Sequence, residues 1–384
     1  MNIKESKKGN VLMFSATRHL LLSDIQKELQ KHCDTVILYH FLPTRTLLKF
    51  FFTNILFFCI HIKYVILFIK FIFDNLKFFN FRTLKWYYLN LLYLLFLDKK
   101  YSFDIIDAHW VYPAGLIAIT YSKYFPKRVI ITVHGYDARK EDLQKNPKLI
   151  KLIVKTASLA DSILTAEKKL DENLTYYGVE KIIHTNQFVD LEEFGGSSAN
   201  IRNELKINHD SFVVGFGPHI KEAYGIRDFV DAMILVKNEI SNLFVICLGV
   251  GDQEEYVKKK FNQNGIKFLM PGKILREIFI NYIKACDIIC IPGFITQGIF
   301  ALEAFACSKP TIGYTDIHEI KIEDQITGQL VKKGDFQSMS KEVIRLYKDS
   351  SLRMLLGKNA RKKVETYYTK EKRISDILRA YGKA

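Results

Sequence analysis

The stretch from residue 291 to residue 310 reads I-P-G-F-I-T-Q-G-I-F-A-L-E-A-F-A-C-S-K-P, and it predicts a strand, a loop and a helix in that order. The helix is predicted to open at Thr296-Gln297-Gly298, with Glu303 about a turn and a half inside it. A glycine-containing helix start presents free N–H groups and the positive end of the helix dipole, which together suit an anion such as a diphosphate. A buried Glu303 would need hydrogen-bond donors, and a ribose diol is a suitable pair. The alternative is that Glu303 lies on the helix surface.

Small residues also follow the other predicted strands of the second half. Gly217 ends Gly215-Phe-Gly, and Gly249 and Gly251 lie in Leu248-Gly-Val-Gly-Asp252. Glycines in such positions let a backbone approach a ligand closely, although a plain tight turn explains them equally well. The full Gly-x-Gly-x-x-Gly pattern is absent, so a nicotinamide site is not indicated.

Both halves of the chain predict α/β structure, because short apolar runs alternate with longer helical patterns. The predicted strands are Val11–Phe14, Thr35–Tyr39, Ile105–Ala108, Val129–Val133, Ser162–Thr165 and Ile182–His184 in the first half, and Phe212–Gly215, Phe244–Leu248, Lys267–Leu269, Ile288–Ile291 and Pro310–Gly313 in the second.

Two domains are expected from a length of 384 residues. The Gly/Ser-rich patch Gly195–Asn200 predicts a linker between them. We expect a Rossmann-like lobe over residues 1–194, a linker over 195–210, a second Rossmann-like lobe over 211–365 and a C-terminal helix over 366–384. Ligands of open parallel sheets bind beyond the carboxyl ends of the strands, so the site is expected in a cleft between the lobes.

The composition is that of a globular, strongly basic protein. Lys plus Arg number 56 against 41 for Asp plus Glu, a net charge of +15, which calls for an anionic partner: nucleic acid, a phosphorylated ligand or an anionic membrane. The hydrophobic fraction of 48% excludes disorder. The six cysteines lack zinc spacing, and Cys286 and Cys290, which lie in an apolar run, are expected to be reduced core thiols. The N-terminus resembles no secretory signal, which predicts a cytoplasmic protein.

The segment over residues 47–100 is both hydrophobic and basic. Lys49, Lys63, Lys70 and Lys77 share a heptad register and would form one cationic stripe on a helix, and Trp86 follows them among several tyrosines. This combination is typical of helices that lie in an anionic membrane interface. One alternative is that these are core-facing helices rich in Phe. Another is a membrane span, but the charged residues inside the segment disfavour a span.

Ordered motifs give the sequence a family resemblance over residues 100–368. The motifs are Asp104–Trp110, Thr132–Asp137, Ala160–Thr165, Asn186–Asp190 with Phe194, Gly217–Gly225, Leu248–Gly251, Pro271-Gly272, Thr296–Pro310 and Asp324–Val331. In this order and spacing they resemble the retaining nucleotide-sugar glycosyltransferases of family 4. The resemblance implies the GT-B fold, with two Rossmann-like lobes around a cleft and a C-terminal helix that returns to the first lobe.

The resemblance also implies roles for individual residues. His134 should contact the donor sugar as the catalytic residue, and Glu303 should bind the nucleotide ribose. The sugar and diphosphate should be held by Gln297, Gly298, Ile299, Gly217, Gly249 and Gly251, and the sugar and acceptor side should include Thr296, His109 and Asp137. His219 and Lys221 are the nearest candidates for the family's diphosphate-binding Arg and Lys, and Ile295 replaces the first Glu of the Glu-x7-Glu pattern.

The implied activity is transfer of a hexosyl or N-acetylhexosaminyl group from a nucleotide diphosphate, with retention, to a lipid-linked or polysaccharide acceptor. The leaving group can be stabilised by fixed dipoles and cations, so no metal and no cofactor are expected. The membrane-associated acceptor and the basic segment place the enzyme peripherally on the inner face of the cell membrane. The alternatives are a nucleotide-sugar epimerase or inverting GT-B transferase on soluble substrates, and a basic nucleic-acid-binding protein. We expect no nucleic-acid partner, because no recognised nucleic-acid motif is present.

Overall fold

In the computed structural model the chain divides into two units, Met1–Asn186 with Ile374–Ala384, and Gln187–Arg373. The structure describes residues 9–15, 20–40, 44–62, 66, 69, 81–135, 147–195, 201–293, 298–315, 317 and 321–383. Each unit contains a six-stranded sheet whose paired strands are all parallel. The predicted α/β fold with two Rossmann-like lobes is confirmed.

The sheet of the first unit has the order β2-β1-β3-β4-β5-β6. Its strands are β1 (Asn10–Ser15), β2 (Thr35–His40), β3 (Ile105–His109), β4 (Arg128–Thr132), β5 (Ser162–Thr165) and β6 (Ile182–His184). The central strands are buried on both faces, which explains why they are continuous apolar runs. His109 pairs in register with Ser15 on one side and Thr132 on the other, so these strands end at the same edge of the sheet.

The last helix of the hydrophobic, basic segment, α4 (Phe81–Tyr101), is a core element. The first-unit helices are α1 (Leu20–Leu29), α2 (Thr44–Thr53), α3 (Ile55–Ile60), α4 (Phe81–Tyr101), α5 (Leu116–Ser122), α6 (Pro147–Ser158) and α7 (Lys168–Tyr176), with a π-helical turn at Val111–Gly115. In α4, Leu84, Tyr87, Leu91 and Leu94 have no exposed surface. Trp86 is half-buried with its ring against Tyr87. For α4 the structure therefore favours the core-helix interpretation over the interfacial one.

Helices α2 and α3 attach to α4 and leave apolar side chains exposed. The Phe50 ring contacts Tyr93 and Phe96 at centroid distances of 4.6 and 4.9 Å. The exposed set, which we call the apolar patch, is Phe52, Ile55, Leu56, Ile62, Ile66 and Ile69. Lys49 is exposed on α2, whereas Lys63, Lys70 and Lys77 lie outside the described residues. Among the helices of the described chain, none is long and apolar enough to span a bilayer.

The sheet of the second unit has the order β12-β11-β10-β7-β8-β9. Its strands are β7 (Phe212–Phe216), β8 (Leu243–Cys247), β9 (Lys267–Leu269), β10 (Ile288–Ile291), β11 (Thr311–Tyr314) and β12 (Gly328–Val331). Numbered within the unit, the strands run 3-2-1-4-5-6, which is the Rossmann order. The order reverses between β7 and β10, and this reversal marks the position where ligands bind in such sheets.

The second-unit helices account for most of the remaining chain. They are α8 (Ile201–Glu204), α9 (Ile226–Glu239), α10 (Glu254–Gln263), α11 (Arg276–Ala285), α12 (Gly298–Ala306), α13 (Phe336–Lys348), α14 (Ser350–Tyr367) and α15 (Lys370–Ala380). Ile201 and Ile207 are buried in the core of this unit, so that part of the segment predicted as a linker packs with the second unit. From Ile374 onward, α15 groups with the first unit, as the resemblance implies.

Candidate active site

The loops after β7 and β10 meet at the strand-order reversal of the second unit. Gly225 has a φ of 73°, and a Cβ added there would lie 2.0 Å from the carbonyl oxygen of Pro292. Only glycine permits this contact between two backbones. The loop that begins at Gly217 and the loop after β10 are therefore packed together beside the carboxyl ends of their strands.

Gly249 and Gly251 make room for protein backbone. A Cβ on Gly249, whose φ is 90°, would lie 1.8 Å from the Pro218 carbonyl oxygen, and one on Gly251 would lie 1.9 Å from that of Ile220. The close approach that these glycines permit is thus made by residues 218–220. This geometry accounts for both glycines as packing residues of the loop.

His219 and Lys221 lie on the same loop and differ in charge. Lys221 is exposed. Partial burial of the His219 ring lowers its pKa, and the nearby charge of Lys221 lowers it further. The centroid of the His219 ring lies 4.8 Å from that of Tyr224. His219 is therefore neutral near pH 7 and offers a diphosphate a hydrogen bond rather than a positive charge.

Glu303 is buried in α12 and pairs with an arginine. The Glu303 side chain is 6% exposed, and its Oε1 accepts a hydrogen bond from Nη1 of Arg276, the first residue of α11. Nε of Arg276 lies 3.1 Å from Glu193 Oε2. Burial raises the pKa of Glu303, and the Arg276 guanidinium opposes that rise. The surface alternative for Glu303 is thus wrong.

Arg276 is the residue that the sequence analysis missed. It lies 27 residues before Glu303 and on another helix, so no local pattern joins the two. The one available signal was the rule that a buried carboxylate needs a partner. In the same region Gly298 begins α12 with a φ of 59° and Ile299 is half-buried, whereas Thr296 and Gln297 lie outside the described residues.

In the first unit, His109 and His134 form a direct pair. His109 ends β3 and is 2% exposed, and its Nδ1 lies 2.9 Å from Nε2 of the half-buried His134. The ring centroids of His109 and Trp110 each lie 5.1 Å from that of His134. Trp110 has a φ of 82° and a ψ of 131°, a strained conformation for a residue with a side chain. Asp137 lies outside the described residues.

The four cysteines of the second unit offer no reactive thiolate, because burial raises the pKa of each of them. Burial raises the pKa of the Cys286 and Cys307 thiols to about 12, as expected of reduced core cysteines. No group of three or more His, Cys, Asp or Glu side chains in the described part of the chain has the geometry of a metal site.

A parallel α/β fold with two Rossmann-like units is the GT-B architecture, and comparisons with known proteins agree with it. The structure resembles Anabaena HepE in complex with UDP, with a TM-score of 0.71 and 14% identity over 98% of this chain and 100% of that one. Residues 197–363 match the family model described as Glycosyl transferases group 1.

Sequence relatives include proteins named as glycosyltransferases. An uncharacterized glycosyltransferase of Methanocaldococcus jannaschii is 26% identical over 72% of this chain and 75% of its own. The capsular polysaccharide biosynthesis glycosyltransferase CapM of Staphylococcus aureus is 23% identical, covering 57% and 58%. The N-acetyl-alpha-D-glucosaminyl L-malate synthase of Bacillus anthracis is 24% identical, covering 74% and 75%. The chain is therefore a glycosyltransferase.

Proposed function

We propose that the donor is a nucleoside diphosphate sugar held by the second unit. The observation that carries this proposal is Glu303, a buried carboxylate in the helix that follows the strand-order reversal. A carboxylate there can accept hydrogen bonds from both hydroxyls of a ribose. HepE, which has a similar fold, has been solved in complex with UDP-glucose. The alternative epimerase and nucleic-acid activities have no comparable support.

The leaving diphosphate is stabilised by fixed groups of this unit. Helix α12 directs its N-terminal N–H groups and positive dipole end towards its start at Gly298. The exposed Lys221 supplies a cation, and His219 supplies a hydrogen bond, in place of the Arg and Lys of the family pattern. Preorganised dipoles and cations of this kind act without a metal ion, and transfer proceeds with retention, as the family resemblance implies.

His134 is assigned to the donor sugar on the same resemblance. Its half-buried ring contacts the rings of His109 and Trp110, and these contacts hold it at the carboxyl edge of the first sheet. A fixed ring can orient a sugar hydroxyl and bring the reacting carbon into place. We assign no protein nucleophile.

The acceptor is membrane-associated, and the apolar patch contacts the membrane on its cytoplasmic face. Phe52 and Leu56 are 66% and 72% exposed, an unusual state for large apolar side chains so close together in a chain. The net charge of +15 favours an anionic lipid surface. The relative CapM bears the name of a capsular polysaccharide enzyme, an activity consistent with such an acceptor.

Titration of the protein with UDP, GDP, ADP and CMP and with their sugars in a calorimeter tests the donor assignment. One nucleoside diphosphate family should bind, and hydrolysis or transfer should release the same nucleotide. Absence of binding to every one of them would overturn the assignment of the second unit as a donor site.

Co-sedimentation with anionic vesicles tests the membrane contact. The double change Phe52→Asp and Leu56→Asp should abolish binding, whereas Leu159→Asp should leave it intact, because Leu159 is 52% exposed but lies outside the patch. Each lysine near the surface should add about 1 kcal/mol that salt screens. Equal binding by both variants would show that the patch does not touch lipid.

A further inference from the structure

Three side chains form a line of contacts at the carboxyl edge of the first sheet. Asp107 lies within β3, His109 ends β3, and His134 follows β4. His109 Nε2 lies 3.7 Å from Asp107 Oδ2, and His109 Nδ1 lies 2.9 Å from His134 Nε2. Asp107 and His109 are 1% and 2% exposed, so bulk water does not screen the interaction between them.

The carboxylate of Asp107 is held by two hydroxyl donors. Thr132 Oγ1 donates to Oδ1 at 3.0 Å, and Tyr381 Oη donates to Oδ2 at 2.8 Å. Hydrogen bonds donated to a carboxylate favour its ionised form and fix its orientation. His109 therefore faces a fixed negative charge through Nε2.

The bond between the two rings requires one N–H and one lone pair. If the proton of His109 were on Nδ1, the lone pair of Nε2 would face the Asp107 carboxylate in a buried site, which is unfavourable. With the proton on Nε2, the N–H faces the carboxylate, and the lone pair of Nδ1 accepts from His134. We infer that Asp107 and His109 are positioning residues that keep the proton of His134 on Nε2 and leave its Nδ1 as an acceptor.

The consequence for the reaction rests on the proposed contact between His134 and the donor sugar. In this tautomer His134 donates to His109 through Nε2 and accepts a hydrogen bond from a sugar hydroxyl through Nδ1. The flanking rings of His109 and Trp110 limit reorientation of the imidazole. Tyr381, near the end of the sequence, takes part through its hydrogen bond to Asp107 and not through contact with the substrate.

Histidine side-chain NMR of the isotopically labelled, ligand-free protein tests the tautomer directly. The signals of His134 are assigned by their loss in His134→Gln, at a pH where the ring is neutral. We expect the proton on Nε2. A proton on Nδ1 would overturn the inference, and this readout requires neither a substrate nor an active enzyme.

The variant Asp107→Asn tests the consequence for turnover. An amide N–H that faces His109 would favour the His109 tautomer with its proton on Nδ1. His109 would then donate to His134 instead of accepting from it, so kcat should fall at least about tenfold. The donor KM and the affinity for the free nucleoside diphosphate should stay within about twofold. The matched control is Asp104→Asn on the same motif, an exposed residue that contacts the backbone of Asn10 and should keep normal turnover.

Two further outcomes separate this inference from the proposed role of His134. If His134→Gln keeps normal turnover, the proposed sugar contact is wrong, while the NMR tautomer still decides the inference. If Asp107→Asn fails to fold, Tyr381→Phe replaces it: removal of one hydroxyl should lower kcat a few-fold without changing nucleotide affinity. Normal kcat in a folded Asp107→Asn protein would overturn the positioning role.

Discussion

The Glu303–Arg276 pair should respond differently to removal of each partner, because the two side chains differ in burial. The Glu303 side chain is 6% exposed and the Arg276 side chain 34%. In Glu303→Gln the Arg276 guanidinium still contacts solvent and its ion-pair partner Glu193. The cost of burying the Glu303 carboxylate disappears. The free energy of unfolding should therefore change by no more than about 1 kcal/mol.

In Arg276→Gln the carboxylate of Glu303 remains buried without its countercharge. The Glu303 carboxylate can instead bind a proton, so the free-energy cost of protonation is an upper limit on the loss of stability. From its ordinary pKa of 4.5, protonation at pH 7 costs about 3.4 kcal/mol, at about 1.36 kcal/mol per unit. We expect a loss of about 2 to 3 kcal/mol, because solvent reaches part of the site.

The loss in Arg276→Gln should depend on pH. Burial raises the pKa of Glu303 above its unfolded value, and removal of Arg276 raises it further. A carboxyl with a raised pKa in the folded state binds its proton more tightly there, so the folded protein loses relative stability as pH rises above the unfolded pKa. The difference from wild type should be largest at pH 7 and nearly absent below pH 4.5.

Urea unfolding followed by far-UV circular dichroism measures these effects. Both tryptophans, Trp86 and Trp110, lie in the first unit, so their fluorescence would not follow the second. Nucleotide titration of the same proteins should show about 10- to 100-fold weaker binding in Glu303→Gln, the equivalent of about 1.5 to 3 kcal/mol. A pH-independent loss in Arg276→Gln would refute the burial argument, and unchanged affinity in folded Glu303→Gln would remove Glu303 from the site.

Three further predictions follow from other sites. His134→Ala should lower kcat at least about tenfold while free nucleoside diphosphate still binds; an equal loss of both would assign the ring a purely structural role. Gly249→Ala should destabilise the second unit by more than about 1 kcal/mol. The control is Gly265→Ala, because Gly265 also has a positive φ, 62°, but no atom lies within 4 Å of a Cβ added there; equal losses of stability in the two variants would contradict the backbone clash at Gly249. In the native protein a thiol reagent should modify the exposed Cys59 rapidly and Cys286 only on unfolding, because burial raises the pKa of Cys286 to about 12; rapid labelling of Cys286 would show that the core opens.

The strands could be predicted closely because buried parallel strands are continuous apolar runs. Ser162–Thr165, Ile182–His184, Lys267–Leu269 and Ile288–Ile291 were predicted with their observed bounds. β12 was not predicted as a strand, since its four residues, Gly-Gln-Leu-Val, contain only two apolar side chains. Gly328 is needed there because a Cβ would lie 2.0 Å from the Thr311 carbonyl oxygen, a requirement that only the pairing with β11 creates.

Single residues of the candidate site could be proposed from the sequence, whereas contacts that join distant residues could not. The motifs pointed to Glu303 and His134, but Arg276 reaches Glu303 from another helix. For α4 the sequence left two interpretations open for a related reason: its aromatic residues resemble those of an interfacial helix, and the burial of Tyr87 in the core becomes visible only in the structure.

Asp107 shows how a sequence can indicate a partner without identifying it. A carboxylate in the buried strand Ile-Ile-Asp-Ala-His must be hydrogen-bonded, and this much follows from the residues alone. Its partner Tyr381 lies 274 residues away in the sequence, and in the fold Tyr381 Oη donates to Asp107 Oδ2 at 2.8 Å. Because Asp107 in turn faces His109 and His109 contacts His134, the last residues of the chain stabilise the histidine pair of the first unit. Under the inferred positioning role of Asp107 and His109, the C-terminal segment contributes to the proposed site as well as to the fold of the first unit.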